Sequence, residues 1–88
     1  MDVVWLGVQM WTGLRGSLQP LTDIECDAPQ PAPDRLLGWE QWAVEHLTAV
    51  AARESWQAGR YHYTAERRDG AGHPVEVFAR GYWEWPTT

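Results

Sequence analysis

The chain has 88 residues and a formal net charge of −5, with twelve acidic side chains against seven basic ones. This balance argues against binding to a nucleic-acid backbone or to an anionic membrane surface, because both kinds of binding need clustered Lys and Arg. The length predicts a single domain over residues 1–88, and the seven Trp side chains can build its core without disulfides.

The cysteine count and the hydropathy pattern favour a cytoplasmic protein. One Cys cannot form an internal disulfide. Gly7 and Gln9 interrupt the longest apolar run, so neither a secretory signal nor a transmembrane helix is predicted. All the basic residues are Arg, and Lys is absent, which is a composition typical of GC-rich bacteria and their phages.

Two strands are predicted in the first part of the chain. Val3–Trp11 is nearly all apolar and starts with β-branched residues, which indicates an interior strand buried on both faces. Alternation along this strand puts Val4, Leu6, Val8 and Met10 on one face and Trp5 and Trp11 on the other. The glycines of Thr12–Gly16 indicate a turn, and Ser17–Ile24 can return as an edge strand, since Pro20 cannot donate to a ladder.

A loop and one long helix are predicted next. The prolines of Asp23–Pro33 indicate an extended loop, which would be acidic through Asp23, Glu25 and Asp27. Asp34 is placed as the N-cap of a helix over residues 35–57, and Gly59 as the glycine that ends it. Residues at steps of three and four form one mainly apolar face of this helix: Leu36, Trp39, Ala43, His46 or Leu47, and Val50.

Residues 60–85 predict a β-hairpin around the turn sequence RDGAGHP. Pairing Tyr63 with Ala79 and Ala65 with Val77 brings the apolar rows together. The core side of the last strand would carry Val75, Val77, Ala79, Trp83 and Trp85. Its outer side would carry Glu76, Phe78, Arg80, Tyr82 and Glu84.

These elements predict an α+β fold, in which a small antiparallel sheet of order β-β-α-β-β carries one long helix on one face. The order becomes β-α-β-β if the second strand does not form. The opposite face of the sheet would carry Phe78 and Tyr82, together with Trp5 and Trp11 from the first strand.

No motif in the chain predicts catalysis, a metal or a cofactor. Asp23, Glu25 and Asp27 have a spacing that resembles the start of a calcium loop, but the glycine and the distal Glu that such a loop needs are missing. The remaining soft ligands have no zinc-site spacing: Cys26, His46, His62 and His73. Neither a nucleophile motif nor a phosphate-binding glycine loop is present, so a non-enzymatic protein is predicted.

The aromatic outer strand and the acidic charge instead predict a protein-interaction module. Trp, Tyr and Arg dominate the energetics of protein interfaces. The predicted interface comprises Phe78, Arg80, Tyr82, Trp5, Trp11, Glu76 and Glu84, with the acidic loop steering a basic partner.

Three kinds of binding function remain open from the sequence. The interaction module could be an inhibitor or immunity-type protein of bacterial or phage origin, or an antagonist that mimics nucleic acid. A small-ligand or carbohydrate-binding domain with a Trp-lined pocket is one alternative, and a homodimeric component of a bacterial or phage assembly is another. The partner is expected to be a protein, either a second copy or a different chain, and not nucleic acid or membrane.

Overall fold

The computed structural model describes residues 3–13, 15 and 17–86, which build a four-stranded antiparallel sheet with one helix on one of its faces. The elements are β1 (Val3–Trp11), β2 (Leu18–Asp27), α1 (Leu36–Glu54), β3 (Gly59–Arg68) and β4 (Pro74–Trp85). The strands lie in the order β2-β1-β3-β4, and the predicted α+β fold is confirmed. Within the described part of the chain, no helix combines the length and the apolar character needed to cross a bilayer.

β1 has the predicted bounds and lies inside the sheet, between β2 and β3. Val4, Leu6 and Val8 are buried on the side of the helix. The alternate residues, Trp5 among them, are only partly buried, so the prediction that both faces are fully buried is wrong. The reason is that α1 covers one side of the sheet and the described residues place no second layer on the other.

β2 is an edge strand, as Pro20 predicted, but it continues to Asp27. The proposed acidic loop is therefore wrong as a loop, because residues 23–27 pair with β1 in antiparallel register. The polar and apolar residues alternate here, and Ile24 and Cys26 pack on the helix side. A register shift opposite Val8 and Gln9 makes room for Pro20 in the ladder.

The turn before β2 was predicted from Gly13 and Gly16. Gly13 has a φ of +82°, as expected of a turn glycine. Positions 14 and 16 lie outside the described residues.

The helix ends differ from the sequence prediction. Its N-cap is Arg35, which makes no side-chain cap hydrogen bond, so the assignment of Asp34 as N-cap is wrong. Its C-cap is Ser55, in the left-handed region at φ 55°, where the N–H of Trp56 donates to the carbonyl of Ala51 at 2.9 Å. Gly59 does not end the helix and is instead the first residue of β3.

The end at Ser55 has a packing reason. Trp56 lies just beyond the end of the helix, and its ring centroid is 5.4 Å from that of Tyr61 and 6.3 Å from that of Trp83. Its carbonyl also accepts a hydrogen bond from Trp85 Nε1 at 3.1 Å. Contacts with β3 and β4 thus end the helix before Gly59, and its C-cap, Ser55, lies four residues before this glycine.

The buried stripe of α1 consists of Trp39, Ala43, Leu47, Val50 and Ala51. Leu36, predicted for this stripe, is 58% exposed. Gly38 allows the preceding loop to lie against the first turn of the helix, since a Cβ there would stand 2.8 Å from the Cβ of Pro33.

The β3–β4 hairpin forms as predicted, but its register is wrong. Tyr63 pairs with Gly81, and Ala65 with Ala79, a displacement of two residues along β4 from the predicted pairs. A shift of two leaves alternate side chains on their predicted faces, so Trp83 is buried at 4% exposure and Trp85 packs against the core.

A bulge near the start of β4 reverses the faces of the residues before it. Ala65 pairs with Ala79 and the next residue of β3 pairs with Val77, which leaves Phe78 as the inserted residue. Phe78 therefore turns toward the helix, where its ring stacks on Trp39 with centroids 4.2 Å apart. Val75 and Val77, predicted as core, are about half exposed.

Candidate binding face

The side of the sheet away from α1 carries a connected set of aromatic and charged side chains, which we call the open face. β1 contributes Trp5, Gly7, Gln9 and Trp11, and β2 contributes Asp23, Glu25 and Asp27. β3 contributes Arg60, His62, Thr64, Glu66 and Arg68, and β4 contributes Val77, Arg80, Tyr82 and Glu84. These residues share one face because they are cross-strand partners, or alternate with them, in the three ladders of the sheet.

Arg68 holds together one end of the open face. Its Nε donates to Glu66 Oε2 at 2.7 Å and its Nη2 donates to Asp23 Oδ1 at 3.2 Å, so it bridges β3 and β2 across β1. Its guanidinium carbon also lies 4.9 Å from the centre of the Trp5 ring, within the range of a cation–π contact. The hydrogen bond to Glu66, reinforced by Asp23, raises the pKa of Arg68 although burial lowers it. Arg68 therefore stays protonated.

A similar but more exposed arrangement holds the other end. Arg60 lies over the Trp11 ring at 5.5 Å and donates from Nη2 to Glu84 Oε1 at 2.9 Å. Both charged side chains are about half exposed or more, so this ion pair contributes little to stability.

The middle of the open face contains His62 and Tyr82, which are cross-strand partners. Their rings meet edge to face, with centroids 5.2 Å apart. Tyr82 is 59% exposed, whereas His62 Nδ1 is buried without a hydrogen-bond partner among the described residues. Arg80 is exposed beside them.

Two depressions lie at opposite ends of the open face. One, of about 390 Å³, lies over Gly7 between β1, β2 and β3. The other, of about 490 Å³, is lined by Trp11, Trp85 and Pro86 together with the Arg60–Glu84 pair.

The structure brings together five of the seven residues predicted for the interface: Trp5, Trp11, Arg80, Tyr82 and Glu84. Phe78 was placed on the outer face and is instead on the helix side, because it is the inserted residue of the bulge. Glu76 was also placed on the outer face, but it pairs with Arg67 and so falls on the opposite side from Val77. Glu76 and Glu66 consequently do not face each other.

Sequence reasoning missed the residues that organise this face. Glu66 and Arg68 are two positions apart on one strand, a spacing that puts opposite charges on the same side, and this signal was available. The low exposure of Glu66, which is 8%, could not be predicted from the sequence, because it depends on Trp5 and Arg68 beside it.

The soft ligands considered for zinc lie in separate places. Cys26 is buried on the helix side of β2, His46 Nδ1 donates to the carbonyl oxygen of Trp42 within α1 at 3.1 Å, and His73 lies in the hairpin loop. Within the residues that the structure describes, no three His, Cys, Asp or Glu side chains come together as metal ligands. Burial raises the pKa of the Cys26 thiol, and neighbouring Asp27 and Glu25 raise it further, which keeps the thiol protonated and poorly nucleophilic.

Comparison with protein-family models, with curated proteins and with solved structures found no match for this chain.

Proposed function

We propose that this chain is a non-enzymatic protein-binding module whose open face binds a basic partner protein. The observation that carries the proposal is a sheet face with no covering layer among the described residues, on which Tyr82 and Trp11 are exposed beside Arg60 and Arg80. These residue types supply most of the energy in protein interfaces.

The size of the open face fits an ordinary interface. Four strands about 4.8 Å apart, at a rise of about 3.3 Å per residue, span roughly 19 by 30 Å, or about 600 Å² in projection. A stable complex buries about 800 Å² on each partner. The open face thus supplies about three quarters of such a contact, and the residues around its edge would have to supply the rest.

Net charge favours a basic partner over a second copy of the chain. At a formal charge of −5, two copies repel each other, whereas a basic protein is attracted and its association is accelerated. Glu25 and Asp27 lie on the edge strand of the open face and have no ion pair among the described residues, so they can steer such a partner.

An inhibitor or immunity-type mode of action, by occlusion of the partner's working surface, agrees better with this face than mimicry of nucleic acid. A mimic needs an array of unpaired carboxylates to replace phosphates. Of the five carboxylates that the structure describes on the open face, Asp23, Glu66 and Glu84 are each paired with an arginine, which leaves Glu25 and Asp27, too few for such an array.

The test begins with affinity capture from lysate of the source cells, followed by identification and purification of the captured protein. Isothermal titration calorimetry then compares the unaltered chain with Tyr82→Ala and with Glu45→Ala, a control on the exposed side of α1. We expect Tyr82→Ala to weaken the complex at least tenfold, since hot-spot truncations cost about 2 kcal/mol or more, and Glu45→Ala to leave it unchanged. Equal affinities for all three proteins would refute the assignment of the face.

Sedimentation velocity tests the homodimer as the alternative occupant. A monomer at all concentrations agrees with a heterologous partner. A dimer that Tyr82→Ala dissociates would show that the open face binds a second copy instead.

A carbohydrate-binding function is a second candidate, supported by the depression that contains Trp11, Trp85 and an ion pair. Flat rings beside charged hydrogen-bonding groups suit the apolar and polar sides of a sugar. A thermal-shift screen of saccharides, repeated with Trp11→Ala, tests it. Shifts below about 1 °C at a large excess of every sugar would exclude it.

A further inference from the structure

The depression over Gly7 is a polar pocket with a glycine as its floor. Gly7 lies between Asp23 on β2 and Thr64 on β3, and it offers no side chain to fill the space between them. A Cβ at this position would lie 3.4 Å from Asp23 Oδ1 and 3.5 Å from Arg68 Nη2. The depression that these residues line has a volume of about 390 Å³, and its walls also include Gln9, Thr22 and Glu66.

The walls of the pocket supply unused hydrogen-bond acceptors. Glu66 is 92% buried, and Arg68 occupies only its Oε2 atom. Glu66 Oε1 has no hydrogen-bond partner among the described residues. This atom itself is not fully buried, so it is accessible from the pocket. Asp23 likewise uses only Oδ1, and the Thr64 hydroxyl has no partner within the described chain.

The charges around the pocket do not cancel. Asp23 and Glu66 are two carboxylates, and among the described residues Arg68 is the one cation that contacts them, which leaves one negative charge. Arg68 already directs Nε and Nη2 at these carboxylates and stacks on Trp5, so its charge is satisfied from within the chain. A partly buried surplus of negative charge favours a cationic ligand.

We infer that the Gly7 pocket binds a primary ammonium group, and that in the complex of the proposed function this group is a lysine side chain of the partner. The free acceptors of Asp23, Glu66 and Thr64 come from two strands on either side of Gly7. These acceptors belong to three separate side chains and do not form one planar edge, so they match the three donors of an ammonium group better than the planar fork of a guanidinium group. The identity of the occupant as a partner's lysine rests on the proposed function.

The pocket itself is tested with n-butylammonium chloride as the probe. Amide shifts of the ¹⁵N-labelled chain are followed by NMR during titration, with sodium butyrate at the same ionic strength as the comparison. We expect saturable shifts centred on Gly7 and Thr64 with the amine, in the millimolar range expected of so small a ligand, and none with butyrate. Shifts that are scattered over the surface, or equal for the two probes, would overturn the pocket.

Matched variants separate the pocket from general electrostatics. Asp23→Asn removes the surplus charge while its amide oxygen can still accept from Arg68, and we expect it to weaken butylammonium binding about tenfold. Glu25→Gln makes the same change in net charge on the same strand but outside the pocket lining, and it should leave binding unchanged. Equal losses in the two variants would reduce the effect to long-range attraction and overturn the inference.

Filling the pocket provides a second, independent variant. Gly7→Val places a strand-favouring side chain in the cavity, while Gly59→Val adds the same side chain where nothing lies within 4 Å. Only the first should abolish butylammonium binding. If Gly7→Val does not fold, the Asp23→Asn comparison still decides, because the Asp23 side chain is 57% exposed.

The partner's lysine is tested with the purified complex. Asp23→Asn should weaken partner binding about tenfold, and acetylation of the partner's lysines should remove the difference between Asp23→Asn and the unaltered chain. If Tyr82→Ala weakens the complex and Asp23→Asn does not, the lysine assignment is wrong while the proposed function stands. If butylammonium binds specifically but no partner is captured, the proposed function fails and the pocket stands.

Discussion

The burial of Trp83 provides the most direct test of the fold. Both the alternation of side chains along β4 and the composition of the core on the helix side depend on it. Its side chain is 4% exposed and lies among the rings of Trp56, Tyr61 and Trp85, with centroid distances of 6.3, 5.7 and 5.9 Å. Truncation of a buried Trp to Ala costs about 3–5 kcal/mol. A chain of this length has a total stability of about 4–13 kcal/mol, so Trp83→Ala removes about a quarter of it or more.

The structure also predicts an asymmetry between two substitutions of Trp83. Its Nε1 is buried without a hydrogen-bond partner among the described residues, and an unsatisfied buried donor costs about 1–3 kcal/mol. Trp83→Phe removes this donor along with part of the ring, so the two effects offset each other. We therefore expect Trp83→Phe to cost less than about 2 kcal/mol.

Urea unfolding followed by far-UV circular dichroism measures both effects, since seven Trp residues make fluorescence difficult to assign. A loss below about 1 kcal/mol for Trp83→Ala would refute the assignment of Trp83 to the core. Equal losses for Phe and Ala would show that the indole N–H has a partner in the folded protein.

Three other changes follow from the packing. Phe78→Ala should lower the free energy of unfolding by about 3 kcal/mol, whereas Tyr82→Ala should lower it by less than about 1 kcal/mol; comparable losses in urea unfolding would contradict the bulge. Gly38→Ala should destabilise by about 1–2 kcal/mol despite the better helix propensity of Ala, because its Cβ would collide with Pro33; a gain in melting temperature would show that the loop yields easily. Burial raises the pKa of the Cys26 thiol in the folded protein, so above pH 9.0 the unfolded chain loses this proton more readily than the folded one. The free energy of unfolding should therefore fall with rising pH, and less steeply in Cys26→Ala. Parallel urea midpoints for the two proteins between about pH 8 and 10 would exclude this contribution.

The parts of the fold that could be predicted from the sequence are those with a strong local period. β1 was predicted with its exact bounds because a run of apolar and β-branched residues needs no distant partner to be recognised. The helix and the hairpin were predicted for the same reason. Trp83 and Tyr82 were assigned to opposite faces correctly, since alternation alone decides them once β4 is extended.

The remaining features depended on contacts between segments that are distant in the chain. Residues 23–27 look like a loop by composition and form a strand because β1 offers them a ladder. The helix ends at Ser55, before the glycine, because Trp56 packs on β3 and β4.

The candidate site shows the same division. The sequence by itself determined that an aromatic and charged face would exist, because the side chains of a strand alternate. The tertiary structure alone decided which residues lie on it: a one-residue bulge moved Phe78 to the core, and the order of the strands brought Asp23, Gly7 and Glu66 together. Cross-strand register describes how two segments align, so the sequence of a single strand does not determine it.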